Sequence, residues 1–284
     1  MTRPRSSRWI SSARSSPFPS PHDGLTSPDW NSGVRMVRGL IILLAGLLSL
    51  AGAATAQSRT PPQPGRFDGW ASAVIQADWR DGRGQPIQAF DNARRDLVRG
   101  FLDAGFSRAD MVDYSLQTDS PDAVMTGVRE AAARTTRGCL IYFTSHGAPD
   151  GMVFGNAPLM TPDVMANMLR NTCGTRPTVV IVSACYSGIF LNALQGPNRM
   201  VLTAARRDRS SFGCNADERY PWFDGCILET LPTATDFLAL ASGARECVSR
   251  KEAEAGIDRP SEPQLFVGAE MQMRLPTLRF TRAP

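Results

Sequence analysis

The sequence has few of the residues that metal sites are built from. It contains only two histidines in 284 residues, His22 and His146, and its six cysteines include no Cys-x-x-Cys pair. Structural zinc sites need about four ligands and commonly take them from such pairs. We therefore expect no metal site and no other cofactor.

The sequence also lacks an excess of positive charge once its first segment is set aside. The formal net charge is +4, but residues 1–56 carry six arginines and only two aspartates. The remaining residues hold 25 basic and 25 acidic side chains. This balance gives no indication of a nucleic-acid or anionic-membrane partner.

No apolar run is long enough to be read as a membrane span. The longest, Gly39–Leu50, follows the basic start Met36–Arg38 and precedes Ala54-Thr55-Ala56. A basic start, a short apolar core and an A-x-A site are typical of a signal peptide. We expect a signal peptide at 36–56, a periplasmic or secreted protein, and no stable membrane insertion after cleavage.

Residues 1–35 are rich in Ser, Pro and Arg and show no apolar period. We expect them to be disordered, or to be an upstream extension from a start codon assigned too early. The alternative is a real extension with an uncleaved anchor. A Pro-rich linker at 57–66 and one domain at 67–284 complete the expected organisation.

Two short apolar runs, Leu140–Phe143 and Val179–Val182, each end in small residues and a reactive side chain. His146 follows the first and Cys185 follows the second. Unbroken apolar runs of this length are typical of strands buried in a parallel sheet. Thr161-Pro162 opens a helix between them, which makes the strands parallel. If they are neighbours, about 5 Å apart, His146 and Cys185 lie together at the carboxyl edge of the sheet.

This stretch resembles the legumain-like cysteine peptidases, peptidase family C13, and specifically bacterial members. The signatures are a hydrophobic block before His146-Gly147 and a second block before Ala184-Cys185. The resemblance covers about residues 67–270 and implies a caspase-like three-layer α/β/α sandwich with a mostly parallel six-stranded sheet. Weaker matches lie downstream, at Thr203–Ala205, Ser210–Phe212, Ser261–Gln264 and Leu265–Gly268.

The apolar spacing predicts six strands that alternate with helices, and one long polar loop at 205–223. The predicted strands are Trp70–Gln76, Met111–Leu116, Leu140–Phe143, Val179–Val182, Met200–Thr203 and one ending at Val267. The predicted helices are Ile87–Phe106, one from Ser120 to about Arg134, one from Thr161, one ending near Leu194, and Asp224–Leu240 with a kink at Pro232.

A catalytic dyad is the functional interpretation of Cys185 and His146. A free Cys has a pKa near ~8.5 and needs a polarising neighbour to ionise at neutral pH. The thiolate attacks a carbonyl, and His146 donates a proton to the leaving amine. The resemblance implies an oxyanion hole from the N–H groups of Gly147 and Cys185. A structural His and Cys, or a Cys/His metal site, remain the alternatives.

The specificity pattern departs from legumain. Ser183 stands where legumain has an acidic residue, and no Arg opens the first helix around Asp91. We therefore expect Asp91, Ser183, Ser211 and Asp224 to line the substrate pocket. An acidic lining favours Lys or Arg substrates over Asn.

The six cysteines allow two bridges in an oxidising compartment. Cys139 and Cys173 each precede a central strand, and we expect them to pair at the amino edge of the sheet. A second pair would come from Cys214, Cys226 and Cys247; the alternative is that all remain reduced.

The predicted function is a cysteine endopeptidase that acts on a peptide or protein substrate. The alternatives are a transamidase or ligase that uses the same acyl-enzyme, and a catalytically silent peptide-binding homologue. Nothing in the sequence determines the oligomeric state.

Overall fold

The computed structural model describes residues 67–281. The predicted extension at 1–35, the signal peptide at 36–56 and the linker at 57–66 lie outside the described residues.

Strands and helices alternate along this region. The strands are β1 (Trp70–Gln76), β2 (Met111–Ser115), β3 (Gly138–Thr144), β4 (Gly147–Ala148), β5 (Gly151–Met152), β6 (Thr178–Ser183), β7 (Arg199–Thr203) and β8 (Gln264–Val267). The α-helices are α1 (Ala89–Asp103), α2 (Pro121–Ala133), α3 (Pro162–Thr172), α4 (Phe190–Leu194), α5 (Trp222–Thr230), α6 (Phe237–Glu254) and α7 (Ala269–Arg274).

Six strands form one sheet in the order β2-β1-β3-β6-β7-β8. All neighbours are parallel except β7 and β8, which are antiparallel. The mostly parallel six-stranded sheet is therefore confirmed, and β3 and β6, whose adjacency the sequence left open, are central neighbours.

Both faces of the sheet are covered by helices. Alternate side chains such as Tyr142 and Ile181 pack into one apolar cluster with α1, α5 and α6. Their neighbours Phe143 and Val182 pack into a second cluster with α2, α3 and α4. Because successive side chains of a strand point to opposite faces, a central strand covered on both sides must be apolar throughout. This arrangement confirms the three-layer sandwich.

Two helices begin at the predicted capping residues. Ser120 Oγ accepts a hydrogen bond from the Ala123 N–H at 3.2 Å, and a proline follows at the first helical position of α2. Thr161 Oγ1 accepts one from the Val164 N–H at 3.4 Å at the start of α3. These contacts satisfy backbone donors that have no partner inside the helix.

The single helix predicted over Asp224–Leu240 is wrong. The chain forms α5 and α6 there, with a turn around Pro232 between them. Proline has no N–H and its ring clashes with the preceding turn, so the helix ends instead of kinking. Asp236 then starts α6 by accepting a hydrogen bond from the Ala239 N–H at 2.9 Å.

Two disulfides join helices to their surroundings. The predicted bridge between Cys139 and Cys173 is present and links the start of β3 to the end of α3. The second pair is Cys226–Cys247, between α5 and α6. Cys185 and Cys214 are free.

Candidate active site

The two reactive residues follow neighbouring strands. The β3–β6 register runs to the pair Thr144 and Ser183, and the Ser145 N–H donates to the Ser183 carbonyl at 3.0 Å. His146 comes one residue after this last contact and Cys185 two residues after its partner. The topology therefore brings both to the carboxyl edge of the sheet, as expected for a parallel pair.

Gly147 lies directly against the Cys185 backbone. A β-carbon at position 147 would overlap the Cys185 carbonyl oxygen, and the carbonyl carbon would be 2.9 Å away. Backbone atoms cannot rotate away as a flexible side chain can. Only glycine therefore permits this approach of the two chain segments.

The N–H of Gly147 points away from its hairpin partner. Gly147 pairs with Met152 in the antiparallel hairpin β4–β5, which was not predicted. Met152 exchanges both of its backbone hydrogen bonds with Met160, at 3.1 and 2.9 Å. Bonded and non-bonded pairs alternate in an antiparallel ladder. The Gly147–Met152 pair is therefore non-bonded, and the Gly147 N–H is directed to the opposite side.

Cys185 lies on a sharp turn. Tyr186 has a left-handed backbone (φ 57°), and its N–H donates to the Arg209 carbonyl at 2.8 Å. This conformation is unfavourable for a bulky residue. Within residues 67–281 the Cys185 N–H has no hydrogen-bond acceptor. The turn thus presents a free N–H beside the thiol.

Ser211 forms hydrogen bonds with the thiol of Cys185. Cys185 Sγ is 3.4 Å from the Ser211 carbonyl oxygen and 3.6 Å from Ser211 Oγ, and it accepts from the Ser211 N–H at 3.3 Å. Ser211 belongs to the long loop between β7 and α5, where a substrate-contacting residue was predicted. The structure places it at the sulfur of Cys185.

His146 is oriented by the backbone of Arg80. The ring Nε2 is 2.7 Å from the Arg80 carbonyl oxygen. A carbonyl oxygen only accepts hydrogen bonds, so Nε2 must carry the proton, and Nδ1 is the acceptor of the neutral ring. Phe90, at the start of α1, packs edge-on against the ring with centroids 5.0 Å apart.

Arg80 is itself fixed in place. Its Nε donates to Asp78 Oδ1 at 2.8 Å and its Nη2 donates to the Gly155 carbonyl at 2.9 Å. Asp78 is buried. The amino-acid sequence gives no indication of this support, because a backbone carbonyl has no residue-type signature.

No hydrogen bond joins Cys185 to His146 among residues 67–281; the thiol contacts Ser211 and the ring contacts Arg80. Catalytic hydrogen bonds are often long without substrate and tighten in the complex.

Asp224 lies beneath the site and not on its surface. Its side chain is 0 % exposed and accepts hydrogen bonds from the hydroxyls of Tyr142 and Thr144, both at 2.5 Å. Burial raises its pKa to about 6, although Thr144, Tyr142 and Ser183 act in the opposite direction. The direct substrate contact predicted for Asp224 is not possible in this conformation. Ser183 is also buried, at 3 % exposure, and faces the same carboxylate.

Asp91 is in the first turn of α1, as predicted, but its carboxylate is occupied. Arg94 donates to Oδ1 from Nε at 3.0 Å and from Nη2 at 2.8 Å, and Arg95 pairs with Oδ2. Two guanidinium groups on one carboxylate leave no net negative charge for a Lys or Arg substrate. The structure therefore gives no free carboxylate at this position for the predicted specificity.

Cys214, the second free thiol, is poorly suited to be a nucleophile. Its pKa is raised well above the usual range, first by burial and then by the charges of Cys185 and Asp224. The thiolate is the reactive form, so Cys214 stays protonated and unreactive.

No cluster of three or more His, Cys, Asp or Glu side chains in the described region has a metal-binding arrangement. Between residues 67 and 281 there is also no helix long and apolar enough to cross a membrane.

Two similarities to known proteins bear on this site. Residues 105–229, which include His146, Cys185 and Ser211, match the Peptidase C13 family. The crystal structure of caspase-1 from Spodoptera frugiperda has a TM-score of 0.54 with this chain at 14 % identity. That match covers 72 % of this chain and 89 % of the other, and at this identity it shows the fold alone. No curated protein matches the chain.

Proposed function

We propose that this chain is a cysteine endopeptidase of the peptidase C13 family, because residues 105–229 match that family and the chain has a caspase-like fold. Family and fold support a function of the cysteine-peptidase type. The observation that carries the finer proposal is the register of β3 and β6, which brings His146 and Cys185 to one edge of the sheet.

The proposed nucleophile is the Cys185 thiolate. It attacks the substrate carbonyl carbon and forms a tetrahedral oxyanion. That oxyanion accepts hydrogen bonds from the N–H groups of Gly147 and Cys185. The two residues lie against each other, and within residues 67–281 neither the hairpin nor the turn uses these groups. Donors already in place when charge develops lower the barrier without reorganisation.

His146 is the proposed proton carrier. The Arg80 carbonyl fixes the proton on Nε2 and leaves Nδ1 to take the thiol proton. The ring then donates that proton to the leaving amine, and the acyl-enzyme forms. Water activated by the same nitrogen releases the second product.

The acyl-enzyme also permits a transamidase or ligase, in which an amine replaces water. A third possibility, a silent peptide-binding homologue, would keep the cleft without turnover. Analysing products with and without an added amine nucleophile separates ligation from hydrolysis.

The site of action is proposed to be the periplasm or the exterior of the cell. The predicted signal peptide at 36–56 motivates this, and the two disulfides suit an oxidising compartment. N-terminal sequencing of protein from its natural host tests it. A mature chain beginning near Gln57 is expected, and one beginning before Met36 would contradict it.

The test of the dyad is labelling with a peptide acyloxymethyl ketone followed by peptide mapping. We expect the label on Cys185, with Cys214 unmodified as an internal control thiol. Cys185→Ala should abolish both labelling and peptide cleavage, and His146→Ala should lose cleavage comparably. Near wild-type turnover in either variant would refute the dyad.

A further inference from the structure

A small cavity of about 220 Å³ is lined by Tyr186, the residue that follows the proposed nucleophile. Its lining residues are Tyr186, Asp208, Arg209, Ser210, Phe212 and Arg259. Clefts for drug-sized ligands run from ~300 to 1,000 Å³, so this cavity suits a single side chain. We call it the arginine pocket.

The one carboxylate of the arginine pocket is already neutralised. Arg206 donates to Asp208 from Nε at 2.6 Å and from Nη2 at 3.1 Å. This pairing lowers the pKa of Asp208 to about 2. Arg206 also bonds Glu262 at 2.6 Å. The acidic groups around the pocket are therefore held by Arg206, which does not line it.

The two arginines that do line the pocket have unused donors. The Arg209 side chain is 17 % exposed, and its only ion pair with a residue in 67–281 is a long one, 3.5 Å from Nη2 to Glu262. Arg209 Nε is buried with no hydrogen-bond partner. Arg259 makes no ion pair or hydrogen bond with any residue in 67–281. A buried donor without a partner is costly, and a ligand with acceptor oxygens would satisfy it.

The arginine pocket is close to the reacting atom along both chain segments. Tyr186 directly follows Cys185, and Ser210 directly precedes Ser211, whose N–H and carbonyl contact Cys185 Sγ. The Tyr186 N–H to Arg209 carbonyl hydrogen bond ties these segments together. An extended peptide advances about 3.3–3.6 Å per residue. A substrate residue within a few positions of the scissile bond can therefore reach the pocket.

We propose that the arginine pocket binds an Asp or Glu side chain of the peptide substrate near the scissile bond. The inference rests on the proposed function because it needs a peptide at Cys185. Guanidinium groups bind carboxylates through paired, charge-assisted hydrogen bonds. The enzyme would then select substrates by an acidic residue beside the cleaved bond.

The test uses N-acetylated, C-amidated peptides, so that side chains supply the only carboxylates. Glu, Gln or Lys is placed at each of the three positions on either side of a cleavage site found by library profiling. Binding is measured with Cys185→Ala protein, which leaves the peptides intact, and cleavage is measured with the wild type. At one position we expect Glu to bind about tenfold or more tightly than Gln, and Lys to bind most weakly.

Arg259 is exposed and has no partner among residues 67–281, so Arg259→Gln should bring the ratio of Glu-peptide to Gln-peptide affinity towards one. Arg209→Gln should have the same effect. Arg108→Gln is the matched control at the opposite edge of the sheet, where its partner is Asp113 of β2, and it should keep the ratio. Equal binding of Glu and Gln peptides at every position would overturn the inference, as would a ratio unaffected by Arg259→Gln. If Glu-selective binding is retained but no peptide is cleaved, the result would contradict the proposed hydrolysis and leave the arginine pocket supported.

Discussion

At the scale of single residues, Asp224 is a carboxylate with no exposed surface. The hydroxyl groups of Tyr142 and Thr144 donate hydrogen bonds to it. Its folded pKa of about 6 lies above the ~3.9 of an unfolded Asp. The folded protein thus holds this proton more tightly than the unfolded chain. The charge of Asp224 therefore costs no stability below about pH 4, increasingly destabilises the fold between about pH 4 and 6, and has a constant effect above that.

We expect the wild type to lose on the order of 3 kcal/mol relative to Asp224→Asn as the pH rises from 4 to 7. Urea unfolding of both proteins across this range measures the difference and cancels the titration of all other groups. A difference that does not change with pH would show that Asp224 is already ionised at pH 4 in the fold.

Gly147 is the second residue for which we predict the effect of a substitution. Gly147→Ala forces the His146 and Cys185 segments apart, because the new methyl group would overlap a backbone carbonyl. Since a displaced oxyanion donor costs about 10²–10³ in kcat, we expect a loss of at least that size in peptide cleavage. Gly82→Ala, where a β-carbon has nothing within 4 Å, is the control. Equal activity of the two variants would refute the close approach.

Among the site residues, the sequence predicted those that follow the central strands, and of the loop residues it named Ser211 but not Arg80. His146, Gly147 and Cys185 each follow directly from a buried strand. The interpretation of Asp91 as a free carboxylate of the substrate pocket overlooked its ion pairs. Its partners, Arg94 and Arg95, stand at the i+3 and i+4 positions of the same helix, where side chains meet. The Arg80 carbonyl could not have been found, since any residue type offers one.

At the scale of elements, α6 depends on Asp236, the residue just before its first turn. Asp236 caps the helix at the Ala239 N–H and pairs with Arg279 at 2.7 Å. Asp236→Ala should lower the free energy of unfolding by about 1–2 kcal/mol, because a backbone donor loses its acceptor. Arg279→Gln keeps the cap and removes only a half-exposed ion pair, worth about 1 kcal/mol or less. Equal losses in the two variants, measured by urea unfolding, would contradict the cap.

The division between α5 and α6 shows where helical periodicity misleads. Apolar residues continue at helical spacing through Pro232, so the pattern alone predicts one helix. The chain carried the contrary signal in Asp236, a preferred capping residue just before the apolar Phe237. Hairpin β4–β5 gave no signal, because two strands of two residues each are too short to show alternation.

At the scale of the whole molecule, two rules made the parallel, buried strands predictable but not their order in the sheet. Crossovers between parallel strands are right-handed, and buried strands of a parallel sheet are apolar throughout. These rules made β3 and β6 parallel and buried but left open whether they are neighbours; the observed order β2-β1-β3-β6-β7-β8 makes them adjacent and so locates the site. The edges of the arginine pocket, formed by the loop after β7 and the segment before β8, followed from no such rule.

The Cys139–Cys173 bridge closes a loop of 34 residues at the edge of the sheet opposite the site. Replacing both residues by Ala should lower the free energy of unfolding by about 2–4 kcal/mol, since the unfolded chain regains the entropy that the bridge removes. Cys214→Ala, which breaks no bridge, is the control in the same denaturation experiment. A loss no larger than the control would indicate that the bridge does not form in solution.

Solvent reaches the two kinds of cysteine very differently. The four bridged residues are at most 2 % exposed, whereas Cys185 and Cys214 are partly exposed. Peroxide in storage converts an accessible thiol to a sulfenic acid, which thiols can reverse. A mild water-soluble reductant should therefore restore the activity of an aged preparation while both bridges survive, and the count of free thiols should rise from one, the protonated Cys214, to two and not to six.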